Sequence, residues 1–430
     1  MGIVETRTTG RVGRPLITRR RFQVAVAVVL AAVLPFILRY IFAQHPVLST
    51  TRLENSLIAN TIAVVLAFWM RLSVEPYPGI RSGSVILPVA LAAHGTIFTA
   101  FILANIPGDR VSLFLGFLFN LVWNYAVYLL GEHRIRSRIA VVPFGDTQAL
   151  TSIGTVDWAT IGRPKMAALP PCNAIVADFS AELPDEWESF LADAALSGLL
   201  VYQVKQLSES LTGRVELGHL SENSFGSLLP ARGYFHLKTV ADILAALIAL
   251  PVLLPVMGAA AIAIAVEGGG PILFRQTRIG HAGRPFRVIK FRTMNFSAPA
   301  GDDDRSAAMT LAKDPRITRV GAFLRRTRID ELPQIFNILR AEMSWIGPRP
   351  EAAVLSSWYL KEIPFYRYRH VVKPGISGWA QVNQGHVAEV DEVHRKLQYD
   401  FYYIKYFSPW LDVLIVFKTI KTMLFGFGAR

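Results

Sequence analysis

The chain has 430 residues, 52% of them hydrophobic, and a net charge of +13. That length admits two or three domains, and the apolar content argues against a water-soluble protein and for a membrane one. The single cysteine, Cys172, excludes an internal disulfide and a cysteine metal site; the positive charge suits anionic lipid better than nucleic acid, because long apolar segments accompany it.

Residues 1–21 form a basic tail with six arginines against Glu5. Apolar segments follow at about 22–43, 55–70, 85–106 and 111–130, and predict four transmembrane helices within 22–130. Arg39 lies near the end of the first, placed to snorkel. Asn120 and Asn124 in the fourth are placed to hydrogen-bond between helices. Arg71, Arg81, Arg134, Arg136 and Arg138 share a side with the basic tail, and the loops around 44–54 and 107–110 are poorer in Lys and Arg. The charge bias therefore puts both ends of the region in the cytoplasm.

Residues 131–230 are soluble in composition. Ile139–Phe144, Ala174–Asp178 and Leu199–Val204 read as short buried strands, with a helix over Trp187–Leu196, which predicts a small α/β, Rossmann-like domain. Gly145 follows the first strand, but neither GxGxxG nor a Walker pattern is present, so no nucleotide site is expected there. Ser221–Gly233 reads as a linker.

Residues 231–430 open with another apolar segment, 238–266. From Ile243 to Val266 no residue is charged, and those 24 residues would span about 36 Å as a straight helix, enough to cross a bilayer. Pro251 and Pro255 argue for a break. A crossing would carry a Lys/Arg-rich remainder to the outer face, against the charge bias. A kinked helix that enters and leaves on one face avoids this. The sequence by itself leaves both open.

Ile272–Arg278 and Phe286–Thr293 read as two strands around Gly280–Gly283, carrying Gln276, Arg278, Lys290 and Arg292. Asp302-Asp303-Asp304 reads as a solvated loop, with metal chelation as the alternative. Lys313–Arg319, which contains Arg316, is a basic turn that either binds phosphate or is solvated.

The chemically richest stretch is Arg325–Pro350. Leu332, Ile335, Phe336, Leu339 and Met343 fall at helical spacing just after Asp330-Glu331. Asp330 is therefore expected to cap a helix, whose N-terminus would keep it ionised and suit a phosphate. Adjacent helical positions diverge, so the two carboxylates should act differently, one on substrate and one on a metal. Arg325, Arg326, Arg328, Arg340 and Arg349 surround them, as an anionic, metal-carrying substrate would require. Beyond lies Trp358–Lys373, where Trp358, Tyr359, Phe365, Tyr366 and Tyr368 alternate with Lys361, Arg367, Arg369 and Lys373 in a bilayer-interface pattern. Pro374–Asn383 is turn-rich and holds Gln381 and Asn383. Residues 409–428 are apolar but interrupted by Asp412, Lys418 and Lys421, as in an interfacial helix.

The ordered set resembles the bacterial sugar transferase family, the monotopic phosphoglycosyl transferases. The matching pieces are Asp242 with Pro255, GPILFRQTRIG, KFRTM, DPRITRVGAFLRRTRIDELPQIFNIL, MSWIGPRP, PGISGWAQVN and YDFYYIKYFSPWLD. The resemblance implies a membrane α+β protein of the family's large form, whose 231–430 domain is monotopic and has a re-entrant helix broken at Pro255. It implies that Asp330 attacks a UDP-sugar, expels UMP and carries a covalent phosphosugar that undecaprenyl phosphate then accepts. Glu331, with Asp330, would hold Mg²⁺. Gln276, Arg278, Lys290, Arg292, Arg316, Arg349, Gln381 and Asn383 would lie around the substrate. A hexose, glucose or galactose, is the expected sugar, and exopolysaccharide initiation the expected role. Implied partners are the UDP-sugar, the polyprenyl phosphate, the bilayer and an optional second copy in a homodimer, with no nucleic acid. The implied location is the bacterial inner membrane, with the catalytic domain and both termini cytoplasmic. Departures are Leu254 before Pro255, Arg328 in the RIDE sequence, and His386 where the family often has an arginine. Two other readings compete: a non-catalytic scaffold for polysaccharide assembly, and a prenyl-diphosphate enzyme using Asp302–Asp304.

Overall fold

The computed structural model describes residues 19–42, 50–74, 83–130, 138–216, 230, 232–268, 270–295, 314–384 and 390–425. Most of the basic tail lies outside these residues. So do Arg81, Arg134, Arg136, residues 221–229 and 231 of the linker, Asp302–Asp304, Lys313 and His386. The chain forms two compact units, Met1–Gly213 and Arg214–Arg430.

The first unit begins with four helices long and apolar enough to cross a membrane: α1 (Arg20–Phe42), α2 (Thr50–Val74), α3 (Gly83–Leu103) and α4 (Arg110–Leu130). A π turn at Val29–Val33 precedes Pro35 in α1. Polar groups here must find partners within the protein, since lipid supplies none. Asn124 Oδ1 accepts from Arg71 Nη1 at 3.1 Å, and Asn120 Nδ2 lies 3.2 Å from His94 Nε2, so both asparagines do bridge helices. Arg39 pairs with Asp109, Nε to Oδ2 at 2.8 Å, rather than reaching out on its own. The same carboxylate accepts from the Ser112 N–H at 3.0 Å and so caps α4.

Four parallel strands follow: β1 (Arg138–Val141), β2 (Asp157–Thr160), β3 (Ala174–Ala177) and β4 (Leu200–Gln203), in the order β2-β1-β3-β4. Helices α5 (Asp185–Leu196) and α6 (Val204–Thr212) accompany them. Alternation along β1 separates two cores. Ala140 and Val142 pack with Trp187, Phe190 and Leu191; Ile139 and Val141 pack with Leu150 and Leu207. Strand β2 was not expected from the sequence. It starts on Asp157 and is half-exposed at the sheet edge, so it lacks the apolar run that marks the others. The crevice after β1 is occupied by the chain itself: Asp178 Oδ2 accepts from the Asp146 N–H at 3.1 Å, beside Gly145 at φ +75°.

The second unit is built on α7 (Arg232–Glu267), which stays helical through Pro251 and Pro255. The expected break is thus not an interruption of the helix. Along α7 one stripe, Ala246, Met257, Ala260 and Ile264, packs into the core with Val288, Phe291, Leu324, Ile335, Ile338 and Met343. The opposite face, including Ile248 and Val252, is apolar and exposed. Strands β5 (Leu273–Ile279) and β6 (Pro285–Phe291) form an antiparallel hairpin. Helix α8 (Arg319–Thr327) ends at Arg328 in a left-handed conformation (φ +61°). A 3₁₀ turn, Ile329–Gln334, then leads into the short α9 (Ile335–Leu339). Strands β7 (Ser344–Ile346) and β8 (Gly375–Ser377) pair in parallel. They bring MSWIGPRP against PGISGW, and a Cβ on Gly375 would collide with the Gly347 backbone. Helices α10 (Ala353–Glu362), α11 (Trp379–Gln384), α12 (Val390–Lys405) and α13 (Pro409–Phe425) complete the unit.

Both ends of α7 are fastened to this one body. At the start, Asp242 Oδ2 accepts from Ser344 Oγ at 2.6 Å, and Lys238 Nζ lies 2.9 Å from Asp412 Oδ2. At the finish, Arg292 donates to the carbonyls of Ile264 and Gly268, and Glu267 Oε1 accepts from the Val320 N–H at 3.1 Å. Ahead of α7, the Val215 N–H donates to the Gln398 carbonyl in α12 at 3.1 Å.

Candidate active site

Asp330 and Glu331 lie side by side in the 3₁₀ turn, both buried. The helix expected from Asp330 onward is only this turn plus α9, and Asp330 makes no side-chain capping bond. Pro333 and the left-handed Arg328 tighten the chain, and Met343 falls beyond the helix, before β7.

Glu331 is the anchored member. Its Oε1 accepts from Arg349 Nη2 at 2.7 Å and from Lys290 Nζ at 3.0 Å, with Arg328 Nη1 at 3.8 Å. Burial works to raise this carboxyl, but Arg349, Lys290 and Arg328 outweigh it and hold it well below the usual range. Asp330 differs. Its Oδ1 is buried without a partner. Burial, and then the neighbouring Glu331, raise its carboxyl above 3.8, against the pull of Lys290, Arg328 and Arg349. The helix N-terminus expected at Asp330 is a 3₁₀ turn instead, and burial with a like charge is what moves its carboxyl.

The cations are tuned by the same crowding. Burial first, and then Arg349, pull the Lys290 ammonium down to about 8. Arg349 is raised, chiefly by Glu331. Arg278, pulled down to about 10 by burial and then by Arg349, donates to Gln276 Oε1 (2.9 Å from Nη2) and to the Pro350 carbonyl. Lys290, Arg349, Arg278, Gln276, Arg328, Asp330 and Glu331 thus form one cluster. Arg325 Nε donates to Thr293 Oγ1 at 2.9 Å and acts electrostatically on Asp330. Arg326 and Arg340 are exposed.

Other residues expected near the substrate are held elsewhere. Arg292 closes the end of α7. Arg316 forms a two-pronged pair with Asp314, at 2.9 and 2.7 Å. Gln381 Nε2 donates to the Ile376 carbonyl at 3.2 Å, and its Oε1 is buried without a partner. Asn383 Oδ1 accepts from Lys418 at 2.6 Å.

Sequence reading missed what supports the cluster. Asn337, fully buried, donates to the Arg287 carbonyl at 2.8 Å and accepts from the Ile289 N–H at 3.1 Å, tying α9 to β6. One amide inside the apolar run QIFNIL was the available signal. Arg369, read as part of an interfacial pattern, is buried. It donates to Asp400 Oδ2 at 2.9 Å, to the Tyr366 hydroxyl at 2.8 Å and to the Arg349 carbonyl at 2.8 Å. Glu351, held down near 2 despite burial by Lys396 and Arg369, sits in the same network. Three residues of the aromatic and basic pattern, Tyr359, Tyr366 and Arg369, therefore point into the body instead of at a bilayer.

A buried carboxylate pair ringed by cations, on a body carrying a long apolar helix, defines a membrane protein whose site suits phosphate-bearing substrates. The chain belongs to the bacterial sugar transferase family, whose model matches residues 233–426. It is 45% identical over 355 residues to a UDP-N-acetylgalactosamine-undecaprenyl-phosphate N-acetylgalactosaminephosphotransferase from Aeromonas hydrophila, covering 82% of this chain and 83% of the relative. It is also 41% identical over 186 residues to a UDP-glucose:undecaprenyl-phosphate glucose-1-phosphate transferase from Escherichia coli, covering 43% and 39%. A third relative, with the same activity in its name and from Xanthomonas campestris, is 45% identical over 189 residues, covering 44% and 38%.

Proposed function

We propose that the protein moves a sugar 1-phosphate from a UDP-sugar to undecaprenyl phosphate through a covalent intermediate on Asp330. The observation that carries this reading is the contrast within the pair: Glu331 is locked by two cations, while the buried Asp330 Oδ1 has no partner. Asp330 attacks the β-phosphorus; the bond to the bridging oxygen breaks, and UMP leaves with the electron pair. The resulting acyl phosphate carries the sugar. An oxygen of polyprenyl phosphate then attacks the same phosphorus and returns Asp330 as a free carboxylate. Lys290, Arg349 and Arg278 neutralise charge on the phosphates, in a site where burial strengthens each contact.

Mg²⁺ fits this donor set. Such ions are commonly held by one or two carboxylates together with substrate phosphates, and no group of three or more His, Cys, Asp or Glu gathers among the described residues. Asp330 and Glu331 would supply the protein's share. When bound, the ion would withdraw charge from the diphosphate as UMP departs.

Re-entry of α7 is supported by the fastening of its two ends to one body and by the Val215–Gln398 bond. We place the catalytic unit on the cytoplasmic face of the inner membrane, where the charge bias puts it. The relative that matches along most of the chain points to an N-acetylhexosamine as sugar, in place of the glucose or galactose expected earlier.

The test is UMP release by the membrane-embedded protein with undecaprenyl phosphate and UDP-N-acetylgalactosamine, UDP-glucose or UDP-galactose. Asp330→Asn should lower release by at least about a thousandfold, as loss of a covalent nucleophile does. With the lipid acceptor withheld, intact mass of the wild type should show one phosphosugar adduct. An active enzyme without the adduct would return the reaction to direct transfer.

A further inference from the structure

A cavity of about 410 Å³ opens where α7 begins, bounded by the β5–β6 turn and by residues 367–371. That volume lies within the range of small-molecule sites. Its lining is basic: Arg232, His236, His281, Arg367 and His370, with Phe235 between them and no carboxylate among the described residues. Lys373 Nζ stands 5.7 Å from the centre of the Phe235 ring, adding a third full charge close by.

Three of these groups lack partners. Neither Arg232 nor Arg367 has a side-chain hydrogen bond or ion pair among the described residues, although both line the same space. His370 is only 8% exposed, and its Nε2 is buried without a partner. An orphaned buried nitrogen is costly unless something satisfies it. Two exposed guanidinium groups and three histidines around one cavity, with no carboxylate lining it among the described residues, suit an anion. Guanidinium forks match phosphate oxygens, and a neutral imidazole still has one N–H to donate.

The surroundings say where the anion comes from. The first turn of α7 contributes N–H groups with no helical partner, which favour an anion. From the cavity onward α7 exposes Leu237, Val240 and Leu244. A ligand with its phosphate in the cavity could lay acyl chains along those side chains. We infer that this cavity binds the phosphate of an anionic lipid head group, at a site separate from Asp330 and Glu331. The shared chemistry is a phosphate; a free phosphate or nucleotide is the other source. Occupancy would fasten the start of α7 to the membrane surface.

The experiment compares the full chain and its Arg232→Gln/Arg367→Gln double variant, purified in a neutral detergent with phosphatidylglycerol or phosphatidylcholine. Native mass spectrometry counts retained lipid. The wild type should retain phosphatidylglycerol and not phosphatidylcholine, and the double variant should retain it about tenfold less, the scale of losing charge-assisted contacts. Retention competed by inorganic phosphate or UMP, without preference for phosphatidylglycerol, would assign the site to a free phosphate and overturn the lipid source. Equal retention by wild type and variant would overturn the site. If the double variant does not fold, Arg367→Gln alone, on an exposed side chain, carries the same comparison with a smaller loss. Binding is read without turnover, so it holds or fails independently of the Asp330 reaction.

Discussion

Asp330 and Glu331 differ by one position yet titrate in opposite directions, and this contrast sets the expected pH profile. Asp330 must lose its proton before it can attack. Burial and Glu331 raise its carboxyl, so the acid limb of kcat/KM should lie above the ordinary 3.8. Lys290, pulled down to about 8 by burial and Arg349, should lose its charge as pH rises through that value, giving the alkaline limb. Lys290→Arg keeps the charge at all working pH values. Its profile should lose the limb near 8, at the cost of a lower plateau; a limb that stays put belongs to another group. None of this tuning was legible in the sequence. Adjacency of two acids among arginines pointed to the stretch where the buried, cation-ringed pair stands. Which arginine would arrive depended on the left-handed turn at Arg328 and on chain returning from residue 349.

Long apolar helices and strands with buried alternation were readable because their periods are local. Polar residues that work by pairing across elements were not. Asp412 looked like an interruption of an interfacial helix. In the structure it is buried in α13 and takes Lys238 Nζ at 2.9 Å, the Tyr234 hydroxyl at 2.5 Å and the Tyr403 hydroxyl at 2.8 Å. One carboxylate thus joins α7, α12 and α13. Asp412→Ala leaves Lys238 with Asp242 at 3.5 Å and the Tyr403 hydroxyl with the Ile346 carbonyl at 3.2 Å but strands the Tyr234 hydroxyl, and should cost about 1–3 kcal/mol, the scale of leaving a buried polar group unsatisfied. Thermal unfolding in detergent measures it, and Asp412→Asn, which keeps an acceptor, should fall between. Equal melting of Asp412→Ala and the wild type would mean that water reaches these groups. Arg369 follows the same logic. Its place in an aromatic and basic run suggested a surface, but its guanidinium holds Asp400 and the backbone of Arg349, contacts separated by tens of residues in sequence.

At the scale of the whole catalytic unit, the question left open by hydropathy is whether α7 passes through the bilayer or returns. Length and composition permit a crossing, since 36 helical residues far exceed the roughly 20 a membrane needs. Packing supports the proposed return. Val215, ahead of α7, bonds to Gln398, well after it, and a buried stripe from Ala246 to Ile264 rests on one core. A crossing would have to tear both apart or draw the charged body into lipid, where each unpaired charge is costly. Glu216 and Glu362, exposed on either side of α7 in sequence, report the outcome. In a Cys172→Ser background, Glu216→Cys and Glu362→Cys should both resist a membrane-impermeant maleimide in intact cells, and both should react after permeabilisation. Labelling of Glu362→Cys alone from outside would establish a crossing. Labelling of both from outside would preserve the return of α7 but invert the unit, placing Asp330 away from cytoplasmic UDP-sugars.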